Sequence, residues 1–261
     1  MMKRRCIVVV CFIMFWSSVA WSADGINVTL MNVPSAEMIG QEKLDTSITL
    51  QFAAITGDFD NEGLSKSRTL SEYGLETQLQ WTYGVSKRAE IGINLPIIWD
   101  KIGADNEVFL KDASIAGKYL LWGENGGPAL LAFFLGLRIP IAGRTLEGDA
   151  GFAVTINFSE NVNLDVSGAF SLKSFQPVGP GGRTDIGFGW YVISGTLQVF
   201  LEWSQEWSFW RLAASHKGFV GTGINWDVNP SCTLTFGVMF DVMGEAVDRA
   251  YQGFFSAAYV I

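Results

Sequence analysis

The sequence is poor in the residues that build catalytic and metal-binding sites. Its 261 residues include one histidine, His216, and three cysteines. Cys6 and Cys11 lie in an N-terminal apolar run, so Cys232 has no partner in the rest of the chain and a disulfide framework is excluded. Ser215 and His216 are neighbours that would point to opposite faces of a strand, which disfavours a Ser–His hydrolase. We therefore expect no enzyme, no cofactor and no metal site.

Basic residues and long apolar runs are also scarce. The 18 Lys and Arg against 26 Asp and Glu give a formal charge of -8, which argues against a nucleic-acid partner. The mean hydropathy is nevertheless +0.24, and 49% of the residues are apolar. Beyond residue 22 no stretch of eighteen apolar residues occurs, which excludes transmembrane helices. The hydrophobicity must be distributed in another way.

The first 22 residues have the pattern of a secretory signal peptide. Lys3, Arg4 and Arg5 precede an apolar run over residues 6–16, and small residues surround a cleavage site before Ala23. A lipoprotein signal is disfavoured because Val10, rather than a small residue, precedes Cys11. Removal of residues 1–22 takes away three basic residues and leaves a formal charge of -11.

The remaining apolar residues recur with period two, as in strands with one apolar face. In residues 73–83, Tyr, Leu and Trp alternate with Gly, Glu and Gln, and in residues 89–99 four Leu or Ile side chains and Trp99 share one face. In residues 131–141 an apolar strand carries Arg138 on its second face. Read along the chain, this pattern predicts twelve strands, at 45–56, 70–83, 89–99, 112–122, 129–141, 150–158, 163–172, 184–193, 196–205, 211–227, 232–241 and 251–261.

The connections alternate between short and long, as in bacterial outer-membrane barrels with short periplasmic turns and longer outer loops. The short links are 84–88, 123–128, 159–162, 194–195 and 228–231; the long ones are 57–69, 100–111, 142–149, 173–183, 206–210 and 242–250. Aromatic residues such as Trp81, Trp122, Trp99 and Trp207 fall near the predicted membrane boundaries. We predict an all-β fold, a 12-stranded antiparallel up-and-down barrel over residues 44–261, with 23–43 as a periplasmic segment or plug.

Two partner classes follow from this fold. The outer surface would contact outer-membrane lipids and lipopolysaccharide. The last strand, residues 251–261, alternates to its final residue and resembles the signal read by the outer-membrane assembly machinery, although Ile261 stands where Phe is most usual. A soluble all-β protein with an internal aromatic core is the alternative, and the signal, the strand lengths and the loop rhythm disfavour it.

Three segments resemble a family of predicted outer-membrane transporters named for a meta-pathway of phenol degradation. These are the run YGVSKRAEIGINLP at 83–96, KDASIAGKY at 111–119 and LRIPIAG at 137–143. The resemblance covers most of residues 70–261 and is carried by strand and turn patterns, so it reports architecture more than substrate. It implies a channel for hydrophobic or aromatic compounds, and no catalytic residues carry over.

Polar and charged side chains opposite the apolar stripes would be costly in hydrocarbon and should line the barrel interior. A conducting lumen with an acidic excess would favour cations or neutral solutes. A packed interior of ion pairs, giving a structural barrel that presents its outer loops, is the alternative. The predicted lining residues are Glu76, Gln78, Gln80, Glu90, Asn94, Asp112, Lys118, Arg138, Asp165, Gln198, Glu202, Asn225 and Asp241.

Pro96 and Pro140 fall near the outer ends of two strands and lack an amide donor. Each should end or bulge the hydrogen-bond ladder. Such a kink could open a side exit for apolar solutes, and ordinary strand termination is the simpler interpretation.

Overall fold

A computed structural model describes residues 34–59, 64–102, 105–110, 112–141, 146–173, 180–209, 214–245 and 247–261. The predicted signal peptide lies outside these residues. The strands are β1 Leu44–Phe59, β2 Ser65–Ser86, β3 Ala89–Ile102, β4 Asp105–Leu110, β5 Ala113–Trp122, β6 Ala129–Ile139, β7 Glu147–Ser159, β8 Val162–Lys173, β9 Gly181–Ile193, β10 Leu197–Phe209, β11 Ala214–Asn229, β12 Cys232–Glu245 and β13 Val247–Val260.

The strands form one closed antiparallel meander. Apart from β4 and β5, which both pair with β3, each strand pairs with the next along the chain, and β1 pairs with β13 from Asp45↔Val260 to Phe59↔Val247. The short strand β4 pairs with the second half of β3, from Ile97↔Leu110 to Ile102↔Asp105, and β5 pairs with the first half, from Ala89↔Tyr119 to Asn94↔Ser114. The two short strands therefore occupy one position in the wall. The wall therefore has twelve positions, and the predicted 12-stranded barrel is confirmed.

The two ends of the barrel differ. The connections β2–β3, β5–β6, β7–β8, β9–β10 and β11–β12 are short and lie at one end, here called the short-turn end. Both ends of the strand sequence meet there, because the backbone N–H of Leu44 donates to the carbonyl of Ile261 and that of Ile261 donates to the carbonyl of Leu44. The sequence predicts that this end faces the periplasm.

Burial alternates along the strands as the period-two pattern requires. On β3, Ile91 and Ile93 are 47% and 44% exposed, whereas Glu90 and Asn94 are 4% and 1% exposed. The same holds on β6, where Leu135 and Leu137 are exposed and Ala132 and Phe134 are buried. In a closed barrel the exposed apolar residues form the outer surface, which is the lipid-facing belt of an outer-membrane barrel. No helix among the described residues is long and apolar enough to cross a bilayer.

The strands extend further from the short-turn end than the sequence analysis predicts. Parts of the predicted long loops 57–69 and 100–111 are strand, because β1 and β2 stay paired out to Phe59↔Ser65 and β3 stays paired with β4 out to Ile102↔Asp105. Hydrophobic alternation stops where the lipid ends, but backbone pairing continues in water. The apolar pattern therefore marks the membrane-spanning part of each strand and misses its outer extension.

Both prolines lie at irregularities of the wall. The β2–β3 register passes through Gln78↔Pro96 without a shift. On the opposite edge of β3 the ladder breaks, since Leu95 and Pro96 fall between the β5 and β4 pairings. Pro140 directly follows the end of β6, and the next amide, Ile141 N–H, donates to the Asp112 carboxylate at 3.3 Å. A wall kink at these prolines and a side exit there stay predictions.

Three inward phenylalanines lie flat against the wall over glycines of the next strand. A Cβ built on Gly151 would lie 2.5 Å from the Phe134 ring, one on Gly223 would lie 2.6 Å from Phe200, and one on Gly237 would lie 2.5 Å from Phe254. Glycine at these positions gives the rings room to lie along the wall.

Candidate functional site

The predicted lining residues lie on the inner side of the wall. Gln80 and Arg138 are half-buried, and the other eleven are buried, among them Glu76, Asp165 and Gln198 at 0–1% exposure. Their neighbours along each strand face outward, so the set points into the barrel. The structure does not gather them at one place. Five of them, Glu90, Lys118, Asp165, Gln198 and Asn225, join a polar network near the short-turn end, and Arg138 and Asp241 form separate ion pairs.

The central feature of the short-turn end is a stretch of residues 34–43, here called the N-terminal segment. It precedes β1, and its residues Ser35 and Ala36 are 0% exposed. Glu90 on β3 and Lys118 on β5 form an ion pair of 2.9 Å, with side chains 2% and 0% exposed. Both groups also bind the segment's backbone: the Lys118 ammonium donates to the carbonyls of Ser35 and Glu37 at 3.0 and 2.6 Å, and a Glu90 carboxylate oxygen accepts the Ile39 N–H.

Two further wall residues complete this contact. Asn125, in the turn between β5 and β6, accepts the Met38 N–H through Oδ1 and donates to the Met38 carbonyl through Nδ2. Thr155 on β7 accepts the Ala36 N–H at 2.9 Å and lies 3.2 Å from the Ser35 hydroxyl. Among the described residues, six hydrogen bonds from the wall therefore go to backbone atoms of residues 35–39, and one goes to a side chain.

The same segment covers an apolar patch inside an otherwise polar interior. Ala36 and Met38 are i and i+2, and both belong to one buried apolar cluster with wall residues of β5, β6 and β7. Small side chains at three inward positions leave space for the segment against the wall. The patch consists of Ala116, Leu120, Leu130, Ala132, Phe134 and Ala153.

A glycine contact fixes the point where the segment turns into β1. The Glu42 N–H donates to the Gly84 carbonyl, and the Gly84 N–H donates to the Lys43 carbonyl. A Cβ on Gly84 would lie 1.8 Å from the Gly40 carbonyl oxygen, so only glycine fits this close approach. Gly40 itself has a φ of 97°, a left-handed conformation that glycine adopts without strain.

A chain of hydrogen bonds links the N-terminal segment to the far wall. From Thr155 it passes to the Asp165 carboxylate and on to Asn163, which donates to Asp165 at 2.7 Å. Gln198 donates to Asn163, and Asn225 donates to Gln198, at 2.8 and 2.7 Å. Thr235 on β12 donates to Asn225. The chain thus spans β7 to β12, and buried polar networks of this kind hold their members in fixed positions when each is bonded.

Three ion-pair groups lie elsewhere along the inner wall. Arg138 pairs with Glu147 at 2.8 Å, and Lys217 pairs with Asp241 at 2.7 Å. Arg183 contacts both Asp185 and Glu206. None of these distances involves the N-terminal segment.

The interior is strongly biased toward acidic side chains. Of the charged side chains classed as buried within the described residues, nine are Asp or Glu and one, Lys118, is basic. Arg138, Arg183 and Lys217 add positive charge at half-buried positions. The bias favours cations over anions inside the barrel.

Asn94 and Ser114 have unused hydrogen-bonding capacity. They pair across β3 and β5, are 1% and 3% exposed, and neither side chain has a hydrogen-bond partner within the described part of the chain. Asn94 lies four residues from Glu90 on the same strand, about 13 Å farther from the short-turn end. Its amide can donate and accept, so water or a solute can use it.

Sequence reasoning missed Asn125 and Thr155, and it assigned residues 23–43 as a periplasmic segment or plug without identifying residues 35–39 as the contact. Asn125 sits in a predicted turn, where Asn is expected for backbone reasons alone, so nothing in the sequence distinguishes it. Thr155 carries a weak signal, because it shares parity with Ala153 opposite the apolar Val154 and Ile156. Residues 35–39 follow neither a period of two nor one of 3.6.

Other candidate sites find little support. His216 on β11 stands opposite Trp207 of β10 and Glu245 of β12 in the strand registers. Within the described residues no group of three or more His, Cys, Asp and Glu side chains could hold a metal ion. Cys232 has intermediate exposure and forms no disulfide within the described part of the chain.

The solved structures that this chain resembles include a channel and two porins. The chain is similar to the COG4313 outer membrane channel from Pseudomonas putida F1, with a TM-score of 0.76 and 10% identity over 90% of this chain and 100% of that one. It is also similar to the NanC porin (TM-score 0.60, 8% identity) and the KdgM porin (TM-score 0.51, 8% identity), each match covering 82% of this chain and 98% of the other. At such identities the likeness concerns the fold. No family model matches the chain, and no curated protein matches it in sequence.

Proposed function

We propose that this outer-membrane barrel is a passive channel for small solutes, with the N-terminal segment as a plug at its short-turn end. The observation that carries the proposal is the segment's position: it is bound to the inner wall of a closed polar barrel by contacts from β3, β5, the β5–β6 turn and β7. A plug bound by hydrogen bonds can be released, because water can replace each of these bonds once the segment has left.

The charge of the interior supports a preference for cations and neutral solutes. Nine buried acidic side chains against one buried basic side chain create a negative potential along the path. The known structures with this fold, described as channels or porins, are consistent with transport through the interior. Neutral aromatic solutes belong in the first screen, because the sequence resembles a family of transporters for aromatic compounds and Phe134, Phe200 and Phe254 lie along the inner wall.

A non-conducting structural barrel is the second candidate. Two observations favour it: the plug contacts are extensive, and ion pairs join inward side chains at three further places on the wall. In that case the barrel would act as a scaffold that presents its long outer loops at the cell surface.

Conductance separates the two candidates. The refolded protein is measured in a planar bilayer beside the double variant Ala36→Asp/Met38→Asp, which puts two charges against the apolar patch. We expect low conductance for the unaltered chain and a several-fold higher, cation-selective conductance for the variant, since an unpaired charge buried in an apolar site is strongly disfavoured. Liposome swelling with small sugars and neutral aromatic alcohols then ranks the solutes.

The control is Gln41→Asp, which adds charge to the same segment at an exposed position. It should behave as the unaltered chain. Heat-modifiable electrophoretic mobility establishes that each barrel is folded. If the double variant is folded and as silent as the control, the channel proposal is wrong and the structural role takes its place.

A further inference from the structure

We propose that Glu90, Lys118, Asn125 and Thr155, together with the apolar patch, form a binding site for short extended peptides, of which the N-terminal segment is the resident occupant. The inference deepens the proposed function and rests on it only in treating the segment as releasable. The ligand class is a peptide in extended conformation with small or flexible apolar side chains at alternate positions.

The first argument is that the wall recognises a backbone rather than a sequence. Lys118 takes the carbonyls of Ser35 and Glu37, which lie on either side of a bend at Ala36 and both point toward the ammonium group. Asn125 binds both the N–H and the carbonyl of one residue, Met38. Every peptide offers these groups at the same spacing, so the site can bind chains other than its own.

The second argument is that the side-chain contacts are permissive. Ala36 and Met38 face the apolar patch, and methionine is a flexible side chain that fills irregular gaps. The patch is lined by three alanines on three strands, which leave room for residues of modest size. The geometry resembles recognition in which main-chain hydrogen bonds supply affinity and alternate pockets supply specificity.

The third argument concerns charge. Lys118 is 0% exposed and is paired with Glu90, so this ion pair presents a donor and an acceptor without net charge of its own. Such a pair suits a neutral peptide unit, which needs a donor for its carbonyl and an acceptor for its N–H. It does not suit a simple anion, because the Glu90 carboxylate lies 2.9 Å from the Lys118 ammonium that would have to bind it.

Competition from the attached segment dictates the experiment. A segment joined directly to β1 has an effective concentration of about millimolar, which a free peptide cannot match. The site is therefore tested in the full chain carrying Ala36→Asp/Met38→Asp. The probe is a fluorescent peptide with the sequence of residues 34–43, acetylated and amidated, and binding is read as anisotropy in detergent.

We expect the probe to bind at least tenfold more tightly than the same peptide carrying Ala36→Asp and Met38→Asp. The probe should also lower the conductance of the barrel that carries Ala36→Asp/Met38→Asp. Asn125→Ala in the barrel should weaken binding about three- to tenfold, because it removes two hydrogen bonds. Asn125 is exposed in a turn, so this variant should fold normally.

Each outcome decides one question. Equal binding of both peptides, or no binding of either to a folded barrel, overturns the peptide site. Selective binding to a barrel that conducts no better than the unaltered chain retains the site and refutes the channel. If the Ala36→Asp/Met38→Asp barrel conducts but the peptide does not change its conductance, the channel is retained and the peptide site is refuted.

Discussion

Replacing Lys118 by methionine removes the one buried cation that joins the wall to the N-terminal segment in the described part of the chain. The side chain is 0% exposed and makes three contacts, to Glu90 and to the carbonyls of Ser35 and Glu37. Methionine keeps much of the volume and removes the charge. We expect the segment to leave its site and the conductance to rise.

The magnitude follows from the hydrogen bonds that the substitution removes. Hydrogen bonds to a charged donor contribute about 1.5–3 kcal/mol each, so the two bonds to the carbonyls together contribute about 3–6 kcal/mol to the bound segment. Leaving Glu90 without its partner adds a penalty of about 3–5 kcal/mol, which water relieves once the segment has left. Even the lower figure for the hydrogen bonds shifts the ratio of released to bound segment by more than about 100-fold.

The assay is single-channel conductance together with hydrogen exchange of the amides of residues 35–39. Lys217→Met is the matched control, because it makes the same change in an ion pair of 2.7 Å with Asp241 and contacts no part of the segment in the described structure. The double variant Lys118→Met/Glu90→Gln should also release the segment, with a more stable barrel than the single variant. If Lys118→Met shows the exchange protection and conductance of Lys217→Met, the segment is not held by Lys118 and the reasoning fails.

Two further predictions test the same segment. Gly84→Ala should raise conductance without unfolding the barrel, because its Cβ would lie 1.8 Å from the Gly40 carbonyl oxygen and the turn at 40–43 must move. The control is Gly253→Ala, whose Cβ would have nothing within 4 Å. Equal conductance of the two variants would contradict the close approach at Gly84. Ser35→Cys/Thr155→Cys, with Cys6, Cys11 and Cys232 replaced by Ser, should form a disulfide because the native hydroxyls lie 3.2 Å apart. Oxidation of this variant in the Lys118→Met background should restore low conductance and reductant should raise it again, whereas a conductance indifferent to reductant would show that the segment is no gate.

The sequence predicts the membrane-spanning wall well for a physical reason. Lipid on one side and polar groups on the other impose a period of two on every strand, as in Ile91 and Ile93 against Glu90 and Asn94. The strand count follows from this pattern, and so does the parity of the predicted lining residues. Outer strand extensions such as β4 lie beyond the alternating apolar stretches of the sequence, so no such pattern marks them.

The plug site lies beyond sequence reasoning because it is built from long-range backbone contacts. Thr155 and Ala36 are 119 residues apart, and Asn125 and Met38 are 87 apart. Six of the seven hydrogen bonds that wall side chains make with residues 35–39 of the described segment go to backbone atoms, which every residue type carries. Lys118 and Glu90 were predictable as inward groups, but their shared partner was not, because the sequence leaves residues 23–43 as either a periplasmic segment or a plug and marks no contact residue in them.

The seam between β1 and β13 joins Asp45 to Val260, so it is the most distant pairing in the sheet and its closure carries the largest loop entropy. The N-terminal segment precedes β1 directly, yet it contacts β3, β5 and β7. In the folded barrel it therefore ties the first strand to the middle of the meander from the inside. If the segment docks before the seam closes, we expect it to bring the first edge of the sheet toward the last and so to favour closure of the wall.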